Sequence, residues 1–242
     1  MKRTLFSIYV WIYYSILFIS FFCIISVAYI FTTPFDRYNK FTNRLLGKMA
    51  WWMIHASPGW KIQMEGIHKY NPQKPTIFVA NHQSFLDIPL VFQLPWKMKW
   101  VVKHSMAYIP VMGWMVKLTG QLTINRGSKS AVKRLDKLVQ PIKDLVPVMM
   151  FPEGTRSLDG AIKTFKNGAF ILAKEHGFMI QPMVIDGAYS ALVSGSSLFG
   201  THAMFKLKVL DVIDPNNFDS MTALRDHTRQ VIIDAHHRLT TS

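Results

Sequence analysis

Cysteine and acidic residues are scarce in this 242-residue sequence. The single cysteine, Cys23, lies inside an apolar run, which excludes an internal disulfide and favours a domain that faces the cytosol. Internal repeats, low-complexity tracts and linkers are also lacking, while half of the residues are hydrophobic, which favours one large domain with an appendage. No zinc-ligand spacing, Walker loop or dinucleotide fingerprint occurs, and His236 and His237 are interpreted as exposed helix residues rather than metal ligands.

Charged residues are missing from a long N-terminal stretch. After Lys2 and Arg3 none occurs before Asp36, which leaves the 32 residues 4–35, rich in Phe, Tyr, Ile and Trp. As a helix this stretch would reach roughly 48 Å, more than the ~30 Å hydrocarbon core of a bilayer. A tilted span and a bent pair of helices lying partly in one leaflet both fit this length. The stretch exceeds the apolar core of about 7–15 residues in a signal peptide, which disfavours cleavage.

Basic residues are concentrated just after this apolar stretch. Residues 37–134 carry 15 of the 28 Lys and Arg but 2 of the 14 Asp and Glu. This excess suits an anionic membrane surface or a phosphate-bearing ligand, and the positive-inside rule places the main domain in the cytoplasm. Nucleic acid is disfavoured because tryptophans such as Trp51 and Trp114 stand among Met and Leu. Residues 41–56 have the pattern of an amphipathic interfacial helix, so we predict a membrane-anchoring helical segment over residues 1–60.

Short apolar runs alternate with helical stretches in the second predicted domain, residues 61–242. The predicted strands are 76–80, 99–102, 122–124, 146–151, 179–185 and 205–212. The predicted helices are a short one after Ser84, then 113–118, 128–145, 164–176 with Gly177 as C-cap, and 220–239. This alternation predicts an α/β fold in which a mixed, largely parallel sheet is flanked by helices.

The segment NHQSFLD places His82 and Asp87 at the predicted junction of a strand and a helix. A lone spacing of this kind is weak, but loops at the carboxyl ends of parallel strands are where α/β sheets bind ligands. Asp87 in the first helical turn can accept from one ring N–H of His82, which leaves the other ring nitrogen free to take a proton from a hydroxyl. The alternative role of Asp87 is a partner for the helix dipole, and Ser84 is interpreted as the N-cap.

Three cations end or follow predicted strands. Lys103 ends one strand, Arg126 follows the next, and Arg156 lies in FPEGTRS after a third. If these strands are parallel, the cations gather at the same end of the sheet as His82 and form a phosphate pocket beside a base. For FPEGTRS the alternative is a surface turn with solvated charges.

Four segments resemble, in order and approximate spacing, the four blocks of the glycerolipid acyltransferases with the HxxxxD motif: NHQSFLDIP, GQLTINR, FPEGTRS and QPMVIDG. The similarity covers roughly residues 75–190 and is strongest to bacterial 1-acyl-sn-glycerol-3-phosphate acyltransferases. Two residues depart from the family pattern. Asn125 stands where Asp or Ser is common, and Gln181 replaces a common Val, which puts the acyl or glycerol pocket in question.

The resemblance implies transfer of a fatty acyl group from acyl-CoA or acyl-carrier protein to the sn-2 hydroxyl of lysophosphatidic acid, giving phosphatidic acid. It implies no cofactor, no metal and no covalent acyl-enzyme. His82, oriented by Asp87, would be the general base, and backbone N–H groups near the start of the following helix would stabilise the oxyanion. The residues implied in holding phosphate and glycerol are Lys103, Arg126, Glu153, Gly154, Thr155 and Arg156.

The implied location is the inner membrane of a bacterial cell, with the catalytic domain on the cytoplasmic face. Two alternatives stay open. One is acylation of another lysophospholipid, and the other is a catalytically silent membrane-binding protein of the same fold.

Overall fold

The computed structural model describes residues 1–125, 134–157 and 159–241. The helices in these ranges are α1 (Lys2–Thr32), α2 (Lys40–Ile54), α3 (Asp87–Val91), α4 (Met112–Leu118), α5 (Val139–Lys143), α6 (Gly168–His176), α7 (Ala188–Ala191) and α8 (Met221–Thr241). The strands are β1 (Trp60–Glu65), β2 (Thr76–Ala80), β3 (Lys99–Lys103), β4 (Leu122–Ile124), β5 (Val148–Met150), β6 (Met179–Asp186) and β7 (Ala203–Val209).

These strands form one seven-stranded sheet within the described ranges, in the order β1-β7-β6-β2-β5-β3-β4. The five strands from β6 to β4 in that order run parallel to one another. β7 is antiparallel to β6, and β1 is parallel to β7. The predicted mixed, largely parallel sheet is therefore confirmed. Because β2, β3, β4 and β5 are parallel, the loops that follow them open at the same edge of the sheet.

Alternate residues of β2 enter two apolar layers on opposite faces of the sheet. Phe78 and Ala80 belong to the layer that also contains residues of α1 to α4. Ile77 and Val79 belong to the layer formed with α5, α6 and α8. All four side chains are fully buried, as expected for a central strand covered on both faces. The interior of β2 therefore offers no polar side chain to a site, and the polar residues Asn81 and His82 follow where the strand ends.

The structure differs from the prediction at β1 and around α5. β1 was not predicted because Trp60 is buried while Lys61 and Gln63 are exposed, so this edge strand has no continuous apolar run. The predicted helix 128–145 is described only in part, as a short 3-10 turn, Asp136–Leu138, followed by α5. Residues 128–133 of that prediction lie outside the described ranges.

The N-terminal helix α1 lies against the rest of the chain along one side. The Trp11 indole donates to the Ser197 carbonyl at 2.8 Å, and the Tyr14 hydroxyl donates to the Met53 carbonyl at 2.9 Å. Tyr14 also shares an apolar layer with Phe78. By length and composition α1 is able to cross a membrane, and its other side, which includes Ile12, is exposed. The division of the chain at residue 60 stays a prediction.

Candidate active site

The loop after β2 is held against a neighbouring strand before it reaches the predicted histidine. The buried Asn81 side chain donates from Nδ2 to the Ile185 carbonyl and accepts at Oδ1 from the Ile185 N–H, both at 2.8 Å. His82 follows directly, at the carboxyl end of the sheet, with 10% of its side chain exposed. The position of His82 is thus set by hydrogen bonds between adjacent parallel strands.

Asp87 lies within hydrogen-bond distance of the His82 ring. Its Oδ2 atom is 2.8 Å from His82 Nδ1 and also accepts the backbone N–H groups of Gln83, at 2.6 Å, and Ser84, at 2.8 Å. Because an ionised carboxylate can only accept, Nδ1 carries the ring proton and Nε2 keeps a free lone pair. Among the described residues Nε2 has no hydrogen-bond partner, and the ring lines a cleft. The catalytic role of the pair stays a prediction.

The first N–H groups of this loop are already used inside the protein. Those of Gln83 and Ser84 are directed to Asp87, so in this structure they do not face a substrate oxyanion. The prediction that Ser84 is the N-cap is wrong, because α3 begins at Asp87 and its N-cap position is Leu86. The Ser84 hydroxyl accepts the Leu86 N–H at 3.3 Å in the turn before α3 and donates to the Leu192 carbonyl at 2.7 Å, which ties the loop to the segment after α7.

Glu153 holds the histidine loop through its two carboxylate oxygens. Its Oε1 accepts the His82 backbone N–H at 2.8 Å, and its Oε2 accepts the Lys163 N–H at 3.0 Å. The side chain is buried, and burial raises the pKa of Glu153, while the hydrogen bonds from the Lys163 and His82 backbones act in the opposite direction. Neither Glu153 nor Gly154 lines the cleft, so their predicted contact with glycerol stays a prediction.

Two of the three predicted cations line the same cleft as the histidine, and the volume of this cleft is about 370 Å³. Lys103, Thr155 and Arg156 are exposed and line this cleft together with His82. Gly154 turns the chain with a φ of 75°, a conformation that favours glycine, and so brings Thr155 and Arg156 to the rim. Arg126 lies outside the described residues.

Two apolar spaces adjoin the cleft. A cavity of about 100 Å³ shares Phe85, Ile88 and Met106 with the cleft and extends between α2, α3 and α4. A groove of about 540 Å³ shares Phe85, Met106 and Arg156 with it and runs along α1. The site therefore combines an imidazole, two cations and apolar surface.

Sequence reasoning missed His236. It was predicted to be exposed, but in the structure its ring is half-buried, with Nε2 2.9 Å from Gln83 Nε2 and 3.6 Å from Asp186 Oδ1. The nearby His236 ring lowers the pKa of Asp186. Helical spacing alone could have suggested that His236 and Ile232 share a face, but Gln83 is distant in sequence. His237 is exposed, as predicted.

Comparison with known proteins agrees with this geometry. The acyltransferase family profile matches residues 61–186. A 1-acyl-sn-glycerol-3-phosphate acyltransferase of Chlamydomonas reinhardtii is 34% identical over 200 residues, which cover 82% of this chain and 59% of the relative. A putative 1-acyl-sn-glycerol-3-phosphate acyltransferase of Caenorhabditis elegans is 32% identical over 211 residues, which cover 83% of this chain and 74% of the relative.

Other relatives match over a smaller share of their length. A chloroplastic 1-acyl-sn-glycerol-3-phosphate acyltransferase of Arabidopsis thaliana is 33% identical over 70% of this chain and 48% of its own, so this chain spans about half the length of that relative. The crystal structure of the 1-acyl-sn-glycerophosphate acyltransferase PlsC of Thermotoga maritima has the same fold. Its TM-score is 0.85 at 23% identity, and the match covers 100% of this chain and 97% of that one.

Proposed function

Because the chain belongs to the acyltransferase family, we propose that it transfers a fatty acyl group to the sn-2 hydroxyl of 1-acyl-sn-glycerol 3-phosphate, forming phosphatidic acid. The relatives named for this reaction support the acceptor. The observation that carries the proposal is the hydrogen bond between His82 and Asp87 beside a cleft lined by Lys103 and Arg156. The assay also distinguishes the two predicted alternatives, which are acylation of another lysophospholipid and a catalytically silent protein.

In the proposed mechanism His82 is the general base. Its Nε2 takes the proton from the acceptor hydroxyl as the oxygen attacks the thioester carbonyl, and Asp87 stabilises the imidazolium that forms. When the tetrahedral intermediate collapses, the carbon–sulfur bond breaks and the imidazolium gives its proton to the leaving thiolate. A new ester and a free thiol result, and no acyl-enzyme forms. The donor would be acyl-CoA or acyl-carrier protein, both of which are anionic.

Lys103 and Arg156 would bind the acceptor phosphate, and Thr155 would contribute a hydroxyl at the same rim. A guanidinium forms paired hydrogen bonds with phosphate oxygens, whereas an ammonium acts as a point charge. The apolar cavity and groove beside the cleft would take the acyl chains, since hydrocarbon and apolar side chains are both removed from water on binding. Arg126 remains a proposed phosphate ligand from the sequence.

We further propose that α1 and α2 bind an anionic membrane surface from one side. Trp51 and Trp52 of α2 and Ile12 and Ile16 of α1 are exposed, and α1 is held to the domain by Trp11 and Tyr14. Such an apolar face with neighbouring cations is typical of interfacial binding. The location in a bacterial inner membrane, facing the cytoplasm, stays a prediction. Weaker sedimentation of a Trp51→Ala, Trp52→Ala protein with anionic vesicles would support this docking.

The decisive test is an acyl-transfer assay with purified protein, acyl-CoA and lysophosphatidic acid, followed by thiol release and by mass spectrometry of the product. We expect His82→Ala to lower kcat by about 10²- to 10⁴-fold, the range for a general base, without weakening vesicle binding. His68→Ala, which changes an exposed histidine outside the cleft, is the matched control. Retention of more than roughly a tenth of wild-type activity by His82→Ala would contradict the base role.

A further inference from the structure

The C-terminal helix α8 contacts the backbone of Ile162 and Lys163 through Arg229. This helix lies outside residues 61–186, which the family profile matches. Arg229 Nη2 donates to the Ile162 carbonyl at 2.8 Å, and its Nε donates to the Lys163 carbonyl at 2.9 Å. A planar guanidinium that spans two consecutive carbonyls fixes the orientation of the peptide between them.

The N–H group of that peptide donates to Glu153. The Ile162 carbonyl that accepts from Arg229 and the Lys163 N–H that donates to Glu153 Oε2 belong to one peptide unit. Hydrogen bonds in such a chain polarise one another, so a cation at the carbonyl strengthens the N–H as a donor. The other oxygen of Glu153 accepts the His82 N–H at 2.8 Å. An uninterrupted chain of hydrogen bonds therefore runs from Arg229 to the backbone of the candidate base.

The loop that contains Glu153 also holds His82 at a second point, through Ser157. Ser157 N–H donates to the His82 carbonyl at 2.8 Å, so the strand-like loop is bound on both its N–H and its C=O. The carboxylate of Glu153 is buried, and a buried carboxylate stays ionised only where donors compensate for the lost water. Loss of the Arg229 contact would weaken one of its two donors.

We propose that Arg229 is a positioning residue that acts through the Ile162–Lys163 peptide and Glu153 to hold His82 in the geometry required for proton transfer. This inference rests on the proposed acyl transfer. Arg229 does not itself line the cleft, so we expect its main effect on the rate of the chemical step rather than on acceptor binding. Its effect depends on Glu153.

The inference also determines the direction of a pH effect. The ionisable groups that face Glu153 are His82 and Lys163, with Arg229 beyond the peptide. Burial already raises the pKa of Glu153, and a weaker N–H donor would raise it further. In a variant without the guanidinium, Glu153 would therefore take up a proton at higher pH than in the wild type. On the acid side of the kcat profile, the additional loss of activity caused by protonation of Glu153 should therefore begin at higher pH than in the wild type.

The experiment compares Arg229→Met with Arg238→Met, which removes an exposed arginine from the same helix. We expect Arg229→Met to lower kcat about 10- to 100-fold, because small displacements of a catalytic group are costly. KM for lysophosphatidic acid should stay near the wild-type value, and Arg238→Met should have wild-type kcat. Arg229→Lys, which keeps the charge, should recover part of the loss.

A double-mutant cycle of Arg229→Met and Glu153→Gln tests whether Arg229 acts through Glu153. If Arg229 acts through Glu153, Arg229→Met should change kcat by no more than about 2-fold in the Glu153→Gln protein, the scatter expected of independent measurements. Equal losses in both backgrounds, or a wild-type kcat and acid limb for Arg229→Met, would overturn the inference. If Arg229→Met does not fold, Arg229→Lys replaces it in the same cycle. A wild-type protein without acyl transfer would instead overturn the proposed function.

Discussion

The phenyl ring of Phe151 lies flat on the imidazole of His82, with ring centroids 4.0 Å apart and an angle of 9° between the planes. Phe151 is the first residue after β5, and His82 lies just beyond β2, which pairs with β5 in parallel. Adjacent parallel strands therefore bring the two rings together. The stack covers one face of the imidazole and leaves its edges for Asp87 and the cleft.

Phe151→Ala should lower kcat more than it raises KM, because the His82 ring loses the surface that fixes its plane. We expect a loss of about 10-fold, since a misplaced catalytic group can cost up to about 100-fold. Phe151→Leu, which keeps most of the volume, should lose less. Steady-state kinetics with lysophosphatidic acid measure both variants, and an unchanged kcat for Phe151→Ala would contradict a role for the stack.

Asp87→Asn should remove most activity while the protein stays folded. The amide cannot stabilise an imidazolium, and with its oxygen in the place of Oδ2 its NH₂ group would take the buried place of Oδ1, where the described residues offer no acceptor. We expect kcat to fall by about 10²- to 10⁴-fold. Asp211→Asn, at an exposed residue paired with Lys69, is the control for loss of a carboxylate. Near-wild-type kcat with an intact near-ultraviolet circular dichroism spectrum would refute the orienting role of Asp87.

Arg156→Ala should impair acceptors with a phosphomonoester headgroup most. A hydrogen bond to a charged group contributes about 1.5–3 kcal/mol, so KM for lysophosphatidic acid should rise roughly 10- to 100-fold. The change for a zwitterionic lysophospholipid should be smaller. Lys143→Ala removes an exposed positive charge outside the cleft and serves as the control. An equal change for both acceptors would argue against phosphate binding by Arg156.

Lys99 should make the free energy of unfolding rise in mildly alkaline solution. Its ammonium donates to the carbonyls of Thr119 and Gly120, and burial lowers the pKa of Lys99 to about 8 from 10.5. Between these values the unfolded chain binds more protons than the folded one, so stability increases with pH there. Below pH 8 both states are charged, and the cost of burying the charge is fully present.

Chemical unfolding in detergent between pH 7 and 10 would check this sign. The wild type should gain on the order of 2 kcal/mol over Lys99→Met across this range, because one pKa unit corresponds to about 1.4 kcal/mol. Lys61→Met, at an exposed lysine of β1, should show the wild-type pH dependence. Parallel curves for the wild type and Lys99→Met would show that Lys99 does not titrate as inferred.

The local sequence pattern was sufficient to predict much of the fold. The runs that became β2 and β4 were predicted with the observed bounds, because both are apolar segments with clear polar ends. Gly177 ends α6 with a φ of 67°, as expected of a C-cap glycine. β1 escaped prediction because continuous apolar runs were sought, whereas apolar and polar residues alternate strictly along Trp60–Glu65. Ser84 was misplaced as N-cap because the loop makes one extra turn before α3 begins.

The sequence by itself determined the alternation of strands and helices, the apolar N-terminal stretch, and the spacing that lets Asp87 turn back to His82. These depend on residues close in the chain, where side-chain period and turn chemistry act locally. Only the tertiary structure decided that Phe151 stacks on His82 and that Glu153 accepts the His82 backbone N–H. It also decided that Arg229 of α8 donates to the Ile162 carbonyl. Such contacts join residues far apart in sequence, and their partners are selected by strand order and packing, which no local pattern contains.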